Sequence, residues 1–515
     1  MILRGEPLAE PFPLGDLLKL GLSKSSDEEA LMGPTGSWTW RQLDRATTAL
    51  AGNYRRLGLA PGDRVASLMP EDPATILHYV ACLKAGLVIT TLHYRSAMPF
   101  VDQVLAETEA SALLYHAERQ AEIEQLAEAG RLAGRLIRYG DPSAEGHTLE
   151  TMLDSATGED LPDNLSNSLN ALIIYTSGST GAPKGVVHTR ETLGWIVSSL
   201  QQTFGLTEED RFLSTSALSF SVGTKYNFSV LAAGGSVVVG RSSDLDEILD
   251  LMRQRRPTFT FVLSPICLPF FQHVHPTAAD FESLRAFVIG GDKASRKLKA
   301  DYHALTGRFM RESFGMTEIS SSIIGLDRAI PEDAIGKAVA GYEVAVRDKD
   351  GKILPAGQTG ELTFRSKTVM VGYWKRPDAT AEVLKDGWLY TGDIVSADEE
   401  GYIYFKGRSK QLILHDAANI SPQEVEESLV THPSVTSAAV VGVLDPHHGE
   451  AVWAFVTVDP AVERPAEREL VQYSKDQLGW RAAENVIIVP TLPTTPIGKI
   501  DRTKVKEMAG HYPAH

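Results

Sequence analysis

The stretch Tyr175-Thr-Ser-Gly-Ser-Thr-Gly-Ala-Pro-Lys-Gly185 most constrains what this chain can become. It follows an apolar run, Leu172-Ile-Ile174, that reads as a buried strand, and it leads into Val186-Val187-His188. Three glycines, four Ser/Thr hydroxyls and one lysine lie within it, with no acid. Glycine lets successive backbone N–H groups turn towards one point, the hydroxyls add donors, and the lysine adds a full positive charge. Such a concave array suits phosphate oxygens. A Walker loop needs Gly-Lys-Ser/Thr, whereas here Pro183 precedes Lys184. A Gly/Ser linker could share this composition, but not this order directly behind an apolar strand.

Further stretches carry residues fitted to nucleotide chemistry. In Glu312-Ser-Phe-Gly-Met-Thr-Glu318, Phe314 offers a ring face to a base and Gly315 permits close backbone approach. Glu318 is a carboxylate able to hold Mg²⁺, which takes a few carboxylates together with phosphate oxygens. In Tyr390-Thr-Gly-Asp393, the aspartate could accept hydrogen bonds from two ribose hydroxyls. Gly407-Arg-Ser-Lys410 is a basic turn, and Lys499 sits in the loop Pro493-Thr-Thr-Pro-Ile-Gly-Lys-Ile-Asp-Arg502. Each of the last three would pass as an ordinary solvated turn if met alone.

Together, from about Ser37 to the C-terminus, these motifs resemble the adenylate-forming superfamily of acyl-CoA synthetases, aryl-CoA ligases, adenylation domains and luciferases. The resemblance implies a phosphate loop of Thr176, Ser177, Gly178, Ser179, Thr180, Gly181 and Lys184. It implies further nucleotide contacts from Gly291, Asp292, Glu312, Ser313, Phe314, Gly315, Met316, Thr317, Asp393 and Arg408. Phe314 stands where many members have tyrosine. Lys499, Glu318 and Thr176 are the implied catalytic residues, Glu318 the metal ligand and Lys410 the hinge. The implied cofactors are ATP, Mg²⁺ and, as thiol acceptor, CoA. A carboxylate must attack a phosphate, so two anions approach, and cations placed where charge builds up lower that barrier.

Composition agrees with a soluble enzyme. At 515 residues, two or three domains are expected. Lys+Arg 50 against Asp+Glu 66 leaves a net charge of −16, which would repel nucleic acid. Cys82 and Cys267 lie far apart without metal spacing, which points to a reducing, cytoplasmic compartment. The first residues lack the apolar core of a signal peptide. His78 and Lys84 interrupt the one early apolar segment, so no membrane span is expected.

The pattern predicts an α/β fold: a large N-terminal domain of layered α/β subdomains with a β-rich subdomain, then a small mobile α+β C-terminal domain. Helices are expected from Ser37 to Leu57, Pro73 to Ala85, Val101 to Ala110, Glu118 to Ala133 and Thr192 to Thr203. Mostly apolar strands alternate with them, as parallel sheets require. Glycine-punctuated strands from Gly336 to Phe364 suggest the β-rich subdomain. A boundary near Arg408 to Lys410 separates domain 1–408 from domain 410–515.

By the same resemblance, Phe220, Val222, Gly223, Lys225, Gly290 and Gly315 line the acid pocket, with Gly223 leaving space. The segment is most like that of benzoate-type ligases, so an aromatic or medium-sized acid is expected ahead of a fatty acid. Lys225 would either meet a second polar group on the acid or extend its ammonium outward. After the hinge, Ala417 and Ala418 stand where a glycine-rich turn is usual, which leaves a carrier protein in trans or an amine as alternative acceptors. With no carrier domain expected after residue 515, such a carrier would be a separate chain. A regulatory ATP-binding protein without turnover is the non-catalytic alternative, opposed by the joint presence of Lys499, Glu318, Asp393 and Arg408. His447 and His448 lack a third ligand and read as a surface turn.

Overall fold

The structure, a computed structural model, describes the whole chain except residues 133, 144, 155–160, 163, 177–182, 242–243, 293, 295, 332, 416–417, 446–448, 496–498 and 513–515; the side chains of residues 265, 268, 410, 418 and 419 also lie outside it. Three sheets organise it.

The phosphate-loop stretch lies in an eight-stranded sheet. Strand Asn170–Thr176 runs parallel to Val88–His93, pairing Ile89 with Leu172. Strand Lys184–Thr189 returns antiparallel, pairing Lys184 with Thr176. The loop is therefore the connection of a β-hairpin, with both of its ends pinned in the sheet. Gly372–Tyr373 adds a last short strand beside Val186 and Val187.

A second sheet carries fifteen strands. Ser236–Val239, Arg211–Ser214, Phe259–Leu263, Ala286–Gly290 and Arg311–Met316 are parallel neighbours. At Ser320–Ile324 the direction reverses, and the strands beyond, among them Trp388–Ala397 and Ile403–Arg408, are antiparallel. The glycine-punctuated strands predicted as a β-rich subdomain therefore extend this same sheet. Their pairing, rather than a separate core, sets their place.

Helix Pro73–Ala85 touches strands of both sheets and is buried at twelve positions, with Lys84 the exception. Asp72 caps it by accepting from the Ala74 amide, and Gly86 ends it at φ +73°. Helix Trp40–Arg56 opens with a Thr39–Gln42 capping box, so the preceding Gly36–Thr39 forms a strand where the sequence suggested helix.

The helix predicted from Glu118 to Ala133 is instead a set of short turns, Ala117–Arg119, Gln120–Ile123 and Ala127–Ala129. Arg119 and Arg131 donate to the backbone carbonyls of Tyr94, Ser96, Ala110 and Leu105, tying the segment down irregularly. Tertiary hydrogen bonding overrides the local helical preference here. Among the described residues no helix is long and apolar enough to cross a membrane.

The C-terminal sheet comprises Ile413–His415, Ala418–Ile420, Val435–Asp445, Gly449–Val458 and Asn485–Ile488. Its helices are Pro422–Val430, Glu467–Leu478 and Arg502–Ala509. The Lys499 loop closes on itself, Thr495 N–H donating to the Lys499 carbonyl at 2.7 Å and Asp501 N–H to Pro493 at 2.9 Å. Arg502 anchors that loop, donating to both Glu426 oxygens at 2.5 and 2.8 Å and to the Val440 carbonyl at 2.9 Å. Both side chains are mostly covered, at 18% and 13% exposure.

Arg502→Met leaves the Glu426 carboxylate without its cation, a loss of about 2–3 kcal/mol for a pair that keeps some water contact. Hydrogen exchange should then quicken in strand Val435–Asp445 and helix Arg502–Ala509 while the eight-stranded sheet keeps its protection.

Candidate active site

Tyr373 lies between the Lys184 end of the phosphate-loop hairpin and Glu318. Thr176 Oγ1 lies 3.4 Å from the Lys184 carbonyl, closing the neck, and the Lys184 ammonium sits 5.0 Å from the Tyr373 ring centroid. The Tyr373 hydroxyl donates to Glu318 Oε1 at 2.8 Å. Burial pushes the Tyr373 phenol up, and the Glu318 charge adds to the effect, so it stays a donor. Glu318 itself is buried, and its peptide carbonyl accepts from Met370 N–H at 2.7 Å. Ser177, Gly178, Ser179, Thr180 and Gly181 lie outside the described residues.

The rest of Glu312–Glu318 divides by what each side chain touches. Glu312 accepts from Ala294 N–H and from Lys299, both at 3.1 Å, which holds the turn following Gly291 and Asp292. Ser313 donates to Ser321, which meets the Tyr226 hydroxyl at 2.6 Å, inside the domain. Phe314 is half-buried and stacks on Phe364, with Phe405 tilted beside it. Met316 packs against the main core. A Cβ at Gly315 would meet the Ser320 carbonyl oxygen at 2.4 Å. That glycine is thus demanded by the strand reversal itself, where Ser320 holds φ +122°, in a region that favours glycine. The Thr317 carbonyl faces inward to His188 and Lys225, at 2.9 Å from each.

Asp393 and Arg408 are cross-strand partners, and Arg408 Nε donates to Asp393 Oδ1 at 2.9 Å. Asp393 is 1% exposed, and its second oxygen, Oδ2, is buried without a hydrogen-bond partner. Such an atom is costly unless a ligand completes it. Burial raises the Asp393 carboxyl, Arg408 draws it back, Glu318 raises it further and Lys499 lowers it. Lys499 reaches this place from the C-terminal domain: its Cε lies 3.8 Å from where a side chain at Gly291 would begin, and Gly291 turns at φ +88°. Burial depresses the Lys499 ammonium, against the pull of Asp292 and Asp393 and with the repulsion of Arg408. The predicted Lys499, Asp393, Arg408, Gly291 and Asp292 therefore converge. Lys410 lies in the turn Ser409–Gln411, after the last strand of the large sheet. Ala417, His447 and His448 lie outside the described residues.

Of the predicted acid-pocket residues, Phe220, Val222, Gly223 and Lys225 sit at the start of helix Ser221–Ala232, while Gly290 and Gly315 lie on strands Ala286–Gly290 and Arg311–Met316. Phe220 stacks flat on His93, with centroids 5.2 Å apart and planes 10° apart, and Val222 packs against the core. Gly223 opens no space: a Cβ there would strike the Ala217 carbonyl oxygen at 2.3 Å. At Gly290 a Cβ would meet Phe261 at 2.6 Å and the Ser313 carbonyl at 2.7 Å. Both glycines are required by backbone packing. Lys225 does not extend outward; it is fully buried, and desolvation pushes its ammonium down to about 7, with Glu318 opposing. His93, His188 and Tyr373 go unassigned by the sequence reading. His93 acts through Phe220, His188 through Thr317, 129 residues on, and Tyr373 through Glu318, 55 residues back; of the three, only Tyr373, in the Gly372-Tyr373 pair after an apolar run, offered a local signal.

Residues 21–374 match the AMP-binding enzyme family model and residues 424–499 its C-terminal domain model. A feruloyl-CoA synthase from an Amycolatopsis species is 34% identical over 479 residues, covering 92% of this chain and 94% of the relative. The fatty acid–[acyl-carrier-protein] ligase ScoC of Streptomyces coeruleorubidus is 31% identical over 484 residues, covering 91% of each. Among solved structures, the amide bond synthetase McbA of Marinactinospora thermotolerans superposes with a TM-score of 0.86 at 30% identity, over 96% of this chain and 100% of that one. With both family models matched, this chain belongs to the AMP-binding enzyme family and is an AMP-forming acid–thiol ligase.

Proposed function

We propose that the acid is aromatic or medium-sized, and that Asp393, Arg408, Glu318 and Lys499 divide the adenylation step among them. The observation that carries this reading is the orphaned Oδ2 of Asp393, buried beside Arg408 where Lys499 enters. Two ribose hydroxyls would satisfy that oxygen. Phe314 would offer its ring to the base, and Lys184 would take phosphate charge. One acid oxygen attacks the α-phosphorus, the bond to pyrophosphate breaks, and Lys499 offsets the charge that gathers between the two anions. The thiol of CoA then attacks the acyl carbon, its proton is lost, and AMP departs.

Mg²⁺ fits the residues present. Glu318 is a hard carboxylate donor held by Tyr373, whose ring Lys184 covers, and no cluster of three metal-binding side chains occurs among the described residues. Phosphate oxygens and water would complete the shell, as this ion prefers, and the bound ion would neutralise phosphate charge. The flat Phe220–His93 pair supports an aromatic acid, as does the name of the feruloyl relative. A carrier protein or an amine is the second reading for the acceptor, favoured by the names of the ScoC and McbA relatives and by Ala417-Ala418. Both cysteines are free and buried, which supports a reducing cytoplasmic setting.

Mass spectrometry on the purified protein with ATP, Mg²⁺, CoA and pooled carboxylic acids tests the reading; an aryl-CoA is expected. An acyl-AMP that accumulates and is indifferent to CoA would move the acceptor to a carrier or an amine. Lys499→Ala should cut acyl-AMP formation by about 10²–10³-fold while ATP binding, followed by calorimetry, persists. Asp393→Ala should instead weaken ATP binding about tenfold or more, because Arg408 loses its partner and the ribose its acceptor. Lys410→Pro should slow thioester formation and spare adenylation, since proline fixes the backbone where the domain must turn. Equal loss of both half-reactions removes the hinge assignment.

A further inference from the structure

A closed triangle of buried groups lies behind the Glu318 turn. Lys225 Nζ is 3.0 Å from His188 Nε2 and 2.9 Å from the Thr317 carbonyl oxygen, and His188 Nε2 is 2.9 Å from that same oxygen. Lys225, His188 and Thr224 beside them are 0% exposed, so no bulk water competes for these bonds. The three corners come from three parts of the chain: the acid-pocket helix Ser221–Ala232, the strand Lys184–Thr189 leaving the phosphate loop, and the turn carrying Glu318.

Lys225 keeps its bond to the Thr317 carbonyl with either protonation pattern, while the edge from His188 Nε2 to that oxygen is a hydrogen bond only when Nε2 carries the proton. A charged Lys225 donates to Thr317 and to the bare Nε2 of His188, whose Nδ1 faces Thr192 Oγ1 at 3.4 Å. A neutral Lys225 still donates to Thr317 and offers its lone pair to an Nε2 proton. Burial depresses both groups, and the Lys225 charge depresses His188 further. The lysine is thus held in place by geometry whatever its charge, and it has no exposed surface for a carboxylate of the acid.

We propose that Lys225 is a positioning residue, which fixes the Thr317 carbonyl and through it aims the Glu318 carboxylate at the Mg²⁺ of the bound nucleotide. This rests on the reading of Glu318 as the metal ligand given above. The turn needs such a brace. It joins two strands where the sheet reverses, and its end residue, Ser320, holds φ +122°. The other braces are the Met370 N–H on the Glu318 carbonyl and the Tyr373 hydroxyl on its carboxylate. Lys225 bonds the turn directly to the helix that bears Phe220 and Val222 at its start, and Tyr226 of the same helix meets Ser321 just beyond it, so the acid-side helix and the metal ligand share this support.

Lys225→Met keeps the length and volume of the side chain and removes its donors. The Mg²⁺ concentration for half-maximal acyl-AMP formation should rise about tenfold or more, the range found when groups supporting a metal ligand are lost, while the rate at saturating Mg²⁺ stays within a few-fold. A second readout is thermal: the shift in Tm given by ATP with Mg²⁺ over ATP alone should shrink in Lys225→Met, and the shift given by ATP alone should not. His188→Leu should act like Lys225→Met, and His188→Gln, which keeps an acceptor for Lys225, should restore the wild-type Mg²⁺ dependence. These histidine variants decide the matter if Lys225→Met does not fold. Unchanged Mg²⁺ dependence, or equal loss of the ATP shift with and without Mg²⁺, overturns the proposal, as does a His188→Gln that behaves like His188→Leu. Glu318→Gln separates the two readings. If it keeps the Mg²⁺-dependent shift, Glu318 is not the ligand; if it loses the shift while Lys225→Met keeps it, only the role of Lys225 fails.

Discussion

A buried carboxylate with one oxygen left unbonded is the constraint on which this structure depends. Asp393 is tolerable at 1% exposure only because its cross-strand neighbour is an arginine, and a two-residue change of register would remove that neighbour. The same register brings Gly407 against Ser421 of the C-terminal domain, so the strand that supplies Arg408 also hands the chain to the part carrying Lys499. Charge pairing, sheet register and domain placement are therefore settled by a single pair of strands.

The reversal of the long sheet is the second organising feature. Parallel strands up to Arg311–Met316 deliver their C-terminal ends to one side, where ligands gather in open α/β sheets. The antiparallel return at Ser320–Ile324 then folds Thr317 and Glu318 inward, and the cost is visible in two places. Ser320 adopts a conformation better suited to glycine, and Gly315 must lack a side chain to clear the Ser320 carbonyl. A sequence motif that reads as space for a ligand is, at this glycine, space for the protein's own backbone.

Much of this was legible beforehand. Motif order and residue type pointed to Lys184, Glu318, Asp393, Arg408 and Lys499, because phosphate, metal and ribose chemistry each demand particular groups, and the structure brings Asp393, Arg408 and Lys499 together. Helix Pro73–Ala85 was legible because its caps, Asp72 and Gly86, agree with its apolar run. What escaped depends on long-range packing. Nothing near Lys225 in sequence says that His188 and Thr317 will receive its ammonium, and Gly223 looks like an opening until the backbone it presses against is known. The false helix at Glu118 to Ala133 fails for a related reason, since arginines bonded to distant carbonyls outweigh local preference.

Electrostatics around Lys499 bears on the proposed reaction. Lys499 enters a partly covered place beside Arg408, whose side chain is 44% exposed, and burial together with that repulsion makes its charged form costlier there than in water. Asp292 and Asp393 offset only part of the cost, since the Lys499 ammonium remains depressed. On the proposed reading, a polyanionic nucleotide would reverse this balance by adding negative charge where the two cations meet. A closed arrangement with a charged lysine would then be favoured by the nucleotide, the two equilibria being linked through differential interaction with the open and closed arrangements. Loss of pyrophosphate would remove part of that negative charge and weaken the force holding Lys499 inward at the stage when the acceptor must approach.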